Sequence, residues 1–186
     1  MESAHAPAGL WVGKPSITGV AWFLASEAAL FGGLLAAVVY LRAGDPAWAE
    51  AATHVSRVAA AAATACLVVV TLSLARVVET SRLRRGFLVT AMIAAGLFVM
   101  VKAIDYWTHW VAGSRPQESV FWASFYLLTG LHALHVVGGL GALLYCAWLP
   151  SRERCEAALT WTLGVRLYWY LVDAVWVCLL LLFYLF

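Results

Sequence analysis

The sequence predicts an all-α membrane protein: a polytopic bundle of five transmembrane helices, with the N-terminus cytoplasmic and the C-terminus outside. Three observations carry that expectation. Hydrophobic residues make up 64% of the 186 residues and charged residues only 12%, whereas soluble domains are about half apolar and about a quarter charged. Five stretches are long and apolar enough to cross a hydrocarbon core of roughly 30 Å, which takes about 20 helical residues. Lys and Arg gather on alternate connections, as they do when one side of the membrane holds the basic loops. Mean hydropathy is +0.86, and the ten Trp and seven Tyr suit a chain whose amphipathic rings settle at headgroup level.

The spans are expected at about 18–41, 55–78, 86–107, 120–148 and 166–186, in one membrane domain over 1–186. The start, MESAHAPAGLWVGKPS, lacks the basic stretch leading into a short apolar run that marks a signal peptide. In the second span the run Ala59 to Ala63 reads as a tightly packed helix, since small residues let backbones approach. The connections are short. Lys14, Arg76, Arg82, Arg84, Arg85, Arg152, Arg154 and Arg166 fall on one side, and Arg42, Arg57, Lys102 and Arg115 on the other. This excess sets the orientation.

Formal net charge of +2 is too small to suggest nucleic acid as a partner. Cys66, Cys146, Cys155 and Cys178 are scattered without CxxC spacing. Neither a zinc site nor a disulfide framework is expected from them.

An ionisable side chain in hydrocarbon costs a few kcal/mol, so each one calls for an explanation. The spans hold Glu27, Lys102, Asp105, His132, His135 and Asp173. At about 1.5 Å of rise per residue, Glu27 lies about 14 Å and Asp173 about 10 Å above the cytoplasmic edge. His132 and His135 fall in the same half of the membrane. Lys102 and Asp105 fall near the outer surface and, three residues apart, are placed to pair. The plain reading is that the four inner groups hydrogen-bond to one another and stop the helices from sliding. The sharper one makes Glu27 a titratable group for proton or lipid interactions. Two histidines three apart on one helix face, with no HExxH and no facing third ligand, do not suggest a metal or haem site. No catalytic, cofactor-binding or metal residue is expected in this chain.

The first span reads WFLASEAALFGGLLAAVVYLR, the fourth FYLLTGLHALHVVGGL and the fifth YWYLVDAVWVCLLLLFYL. These segments resemble the signature segments of subunit III of haem–copper terminal oxidases, in a five-helix bacterial form, over nearly the whole chain. The resemblance implies a non-catalytic subunit of a proton-pumping, oxygen-reducing complex in the bacterial plasma membrane. Haem and copper would sit in the partner catalytic subunit I, with subunit II alongside, and cytochrome c or quinol would be the donor. It implies two helix bundles separated by a V-shaped cleft holding phospholipid. Glu27 takes the place of the family's intramembrane glutamate near that cleft, His132 and His135 of its paired histidines, and Asp173 of its fifth-span aspartate. The glycines Gly130, Gly138, Gly139 and Gly141 leave a smooth fourth helix for a neighbour or an acyl chain. Trp169 and Trp176, one turn either side of Asp173, are placed to shield its carboxyl.

Several positions depart from the pattern. Tyr170 stands where the family usually has histidine, Asp105 where it has glutamate, and Lys102 where it has glutamine. The first connection is short. These departures keep a second reading open, an accessory subunit of a nitric oxide reductase system. A stand-alone transporter is disfavoured by the odd number of spans and the lack of a repeat.

Overall fold

The computed structural model describes residues 17–77, 84–148 and 157–185. In hydrocarbon no water is at hand for backbone groups, so apolar runs of this length close their own hydrogen bonds as helices. Helices α1 (Ile17–Ala43), α3 (Arg57–Val77), α4 (Arg84–Val111), α5 (Val120–Trp148) and α6 (Ala157–Leu180) follow one another, with a short α2 (Trp48–Ala52) between the first two. The last helix continues as a wider π turn, Leu181–Leu185. Among the described residues there is no strand. Five helices carry membrane-length apolar windows: Thr18–Ala43, Arg57–Arg76, Arg85–Val111, Val120–Ala147 and Leu163–Leu185.

Each window overlaps an expected span. The third runs on past residue 107 because its polar residues find partners within the helix. Thr108 donates to the Asp105 carbonyl at 2.8 Å, and His109 lies beside the Asp105 carboxylate. Lys14, Arg82, Arg152, Arg154 and Cys155, together with connections 78–83 and 149–156, lie outside the described residues.

Helices α3, α4, α5 and α6 pack side by side in a ring that closes through contact between α3 and α6. Ala60, Ala63, Leu67, Val70 and Leu74 recur along the inner face of α3, opposite Ala91, Ala94, Ala95 and Phe98 of α4. The alanines bring the two backbones close, which is how helices associate where no hydrophobic drive separates them from lipid. Helix α1 is applied to the outside of this ring, against α5 and α6. Of its described side chains only Phe31 and Val38 are buried, while Trp22 and Tyr40 stand 74% and 81% exposed. The described helices therefore do not divide into two bundles about a V-shaped cleft. Four of the five spans close one ring, and the fifth, α1, lies against its outside.

Small α2 turns its Trp48 inward, edge-on to Phe121 at 5.0 Å and stacked on Phe183 of the π turn at 5.8 Å. This aromatic lid covers the end of the ring where Lys102 is buried.

Candidate functional site

Glu27 and His135 meet where α1 crosses α5. His135 Nε2 lies 2.9 Å from Glu27 Oε2, and each side chain is only 17% exposed. His135 Nδ1 lies 2.8 Å from the Leu131 carbonyl of its own helix. A carbonyl only accepts, so Nδ1 carries hydrogen and the imidazole edge facing Glu27 is Nε2. The pair then holds one proton between Oε2 and Nε2. It is either carboxylic acid with neutral ring or carboxylate with imidazolium, and both are neutral overall. Neutrality is what a low-dielectric setting favours. Phe31 packs edge-on against the ring at 4.9 Å, and Tyr168 of α6 donates to the His135 carbonyl at 2.7 Å. Three helices thus converge on His135.

Beside the pair lies an apolar groove of about 300 Å³ between α1, α5 and α6. Small residues, Gly138, Ala142 and Gly164, make its floor, and Phe23, Trp161 and Tyr168 rise around it. Gly138 is therefore one expected smooth position of α5 that borders open space. Gly139 serves a different end. A Cβ there would come within 2.8 Å of the Trp169 ring, so the glycine admits that indole between α5 and α6.

The remaining expected residues do not join Glu27 and His135. His132 points into the ring, fully buried. Its imidazole stacks on Trp176 at 5.2 Å and meets the edge of Phe98 at 5.5 Å, and neither ring nitrogen has a hydrogen-bond partner among the described residues. Three residues of helix turn the two histidines to different neighbours, so the expected single polar cluster divides. Asp173 accepts a hydrogen bond from Thr71 of α3. Of its flanking indoles, Trp176 donates to Thr64 at 2.9 Å and Trp169 fills the space above Gly139. Tyr170, at the departed position, is 41% exposed and accepts from Arg166 at 3.1 Å, away from the site.

Lys102 and Asp105 form a second constellation. Lys102 Nζ lies 2.7 Å from Asp105 Oδ2 and donates to the Tyr184 hydroxyl at 3.2 Å. It sits over the rings of Tyr106 at 4.8 Å and Phe125 at 5.0 Å, where π faces help hold a desolvated cation. Lys102 is only 2% exposed. Expected near a membrane surface, the pair is enclosed by protein. His109 Nε2 stands 3.3 Å from the other Asp105 oxygen. Among the described residues no three His, Cys, Asp or Glu side chains come together as metal ligands would. Among the described residues Cys66 and Cys178 form no disulfide.

Sequence reasoning missed Thr71, Thr64, Tyr168, Tyr184 and His109. The four-residue spacing from Asp105 to His109 was a usable signal. The threonines gave none, because a helical Thr ordinarily bonds its own backbone, as Thr64 does to Ala60 at 2.8 Å.

Comparison with known proteins is consistent with this geometry. The family model described as cytochrome c oxidase subunit III matches residues 53–186. The chain belongs to that family. A relative named cytochrome c oxidase subunit 3 from Corynebacterium diphtheriae is 30% identical over 172 residues, 87% of this chain and 83% of the relative. One of the same name from Synechocystis is 30% identical over 90% of this chain and 74% of its own length. Another, from Thermostichus vulcanus, is 29% identical over 90% and 86%. Membership makes this an integral membrane subunit of an oxidoreductase complex, a subunit III of the haem–copper oxidase type. The family match begins after α1, so the Glu27 half of the pair is contributed by a helix outside the matched residues.

Proposed function

We propose that this subunit III carries no catalytic centre and supports a neighbouring subunit I, which would hold haem and copper, with subunit II in the same proton-pumping complex. Electrons would pass there from cytochrome c or quinol to oxygen during aerobic respiration. The observation that carries the reading is the Glu27–His135 pair beside an apolar groove at the junction of α1, α5 and α6. The groove is shaped for a phospholipid acyl chain, with a one-proton pair at its flank. His132, His135 and Asp173 face three different neighbours, so the residues present do not fit a haem or metal of their own. The basic loops favour a cytoplasmic N-terminus and an outer C-terminus in the bacterial plasma membrane.

The test is purification through a tag on this chain in mild detergent, followed by a reduced-minus-oxidised spectrum and oxygen uptake. Haem bands with uptake are the expected result, and the donor that drives uptake identifies the electron source. A colourless preparation without partners would overturn the reading.

A further inference from the structure

A second groove runs along the ring on the α3 side of α6 and holds about 630 Å³. Its floor is the small-residue face of α3, Ala61, Thr64 and Ala65, and its far wall is Leu180 and Tyr184. Arg57 stands at its open end as the first residue of α3. That guanidinium is exposed and makes no ion pair with a carboxylate among the described residues. Ser56 accepts the Ala59 N–H at 3.1 Å, so Arg57 opens a capped helix whose N-terminal dipole adds to its positive field.

We propose that this groove seats one acyl chain of an anionic phospholipid, with the phosphate held at Arg57. Length and charge favour that occupant. From Arg57 to Val69 the groove follows α3 for about 18 Å at about 1.5 Å per residue, close to the roughly 15 Å of one leaflet's hydrocarbon. The exposed guanidinium of Arg57 at the end of an otherwise mostly apolar groove supplies a charge complementary to a lipid phosphate. A chain leaving bulk lipid gains nothing from the hydrophobic effect, since lipid tails are as apolar as the groove. Selection therefore comes from the headgroup. One Arg at the membrane surface favours an anionic over a zwitterionic lipid by about fivefold, or about 1 kcal/mol. This site is on a different face from Glu27 and does not depend on the oxidase reading.

The full chain, with whatever subunits accompany it, is delipidated in non-ionic detergent and given equimolar long-chain phosphatidylglycerol and phosphatidylcholine. Bound lipids are then counted by native mass spectrometry. Wild type retains phosphatidylglycerol about fivefold over phosphatidylcholine. Arg57→Lys keeps the preference, Arg57→Gln brings the two lipids to parity, and Ala61→Phe, which fills the groove, loses one lipid of either kind. Parity in wild type, or a preference untouched by Arg57→Gln, overturns the proposal. So does an Ala61→Phe variant that sheds a co-purifying polypeptide while its lipid count stays unchanged, since the face is then a protein interface. Should Ala61→Phe fail to fold, the two Arg57 variants decide alone. Lipid in the groove beside α1 does not respond to Arg57, so its loss or retention is scored separately.

Discussion

At the scale of single residues, the chemistry rests on which atom carries hydrogen. The Leu131 carbonyl fixes hydrogen on His135 Nδ1 and leaves Nε2 to share one proton with Glu27. Glu27→Gln preserves that contact, because an amide N–H donates to the neutral ring, but the amide has no acidic proton to give up. Assembly and melting temperature are expected to stay at wild-type values while sustained turnover declines, read by oxygen uptake over many turnovers. Glu27→Ala removes the partner altogether and should cost about 1 kcal/mol of helix association, seen as a lower melting temperature in detergent. Lys102 offers a sharper contrast. Lys102→Met strands the Asp105 carboxylate inside the ring and is expected to cost about 3–5 kcal/mol. Lys102→Met with Asp105→Leu recovers most of that loss, and a double-mutant cycle on thermal unfolding measures the coupling. Glu27, Lys102 and Asp105 were legible in the sequence as charges in hydrocarbon. Their partners were less so, because Tyr184 lies 82 residues from Lys102 and reads from sequence as one more aromatic in an apolar run.

Helices meet through a few shape decisions. Gly139 and Trp169 make one of them, with the indole 2.8 Å from where a Cβ would stand. Gly139→Ala forces α5 and α6 apart and should cost about 1–3 kcal/mol. Gly141→Ala, which meets nothing within 4 Å, should change stability by no more than about 0.5 kcal/mol. Melting curves of the two variants side by side check the pair. The four glycines looked alike in the sequence, as a smooth stripe on the fourth span. Separating them needs the rotation of α5 against α6, which periodicity does not supply. The spans themselves were legible because crossing hydrocarbon imposes a length and an apolar composition on every segment that does it. Helix α2 was missed because five residues are too short to carry a period.

For the whole molecule, the decisive feature is a closed ring of four helices with α1 outside it. Polar contacts that hold helix α1 include Glu27 to His135 in mid-helix and, at its far end, Arg42 to the Leu182 carbonyl at 3.5 Å. If the backbone is cut in the 44–56 connection, wild type should keep the α1 fragment through a mild detergent wash. Glu27→Ala should release it, and denaturing gels of the washed complex report which happens. The number of spans could be read from hydropathy. That one of them stands apart could not, since α1 is as apolar as its neighbours and differs only in what covers it. The same limit explains why the histidines, three residues apart, were expected to act together. Sequence places them on one side of a helix, and packing then assigns one to α1 and the other to the interior.

The spacing of Lys102 and Asp105 has a consequence for how the chain is made. A lone lysine or aspartate costs up to about 2.5–3.5 kcal/mol on entering the bilayer, the upper figures applying at the helix centre, and α4 must enter before Tyr184 of the fifth span has been synthesised. Three residues apart, the two charges neutralise each other within α4 itself. The helix therefore leaves the insertion machinery as a net-neutral unit at this position, without waiting for a later helix to compensate it. The aromatic enclosure and the Tyr184 hydroxyl arrive afterwards, around a charge pair that has already crossed.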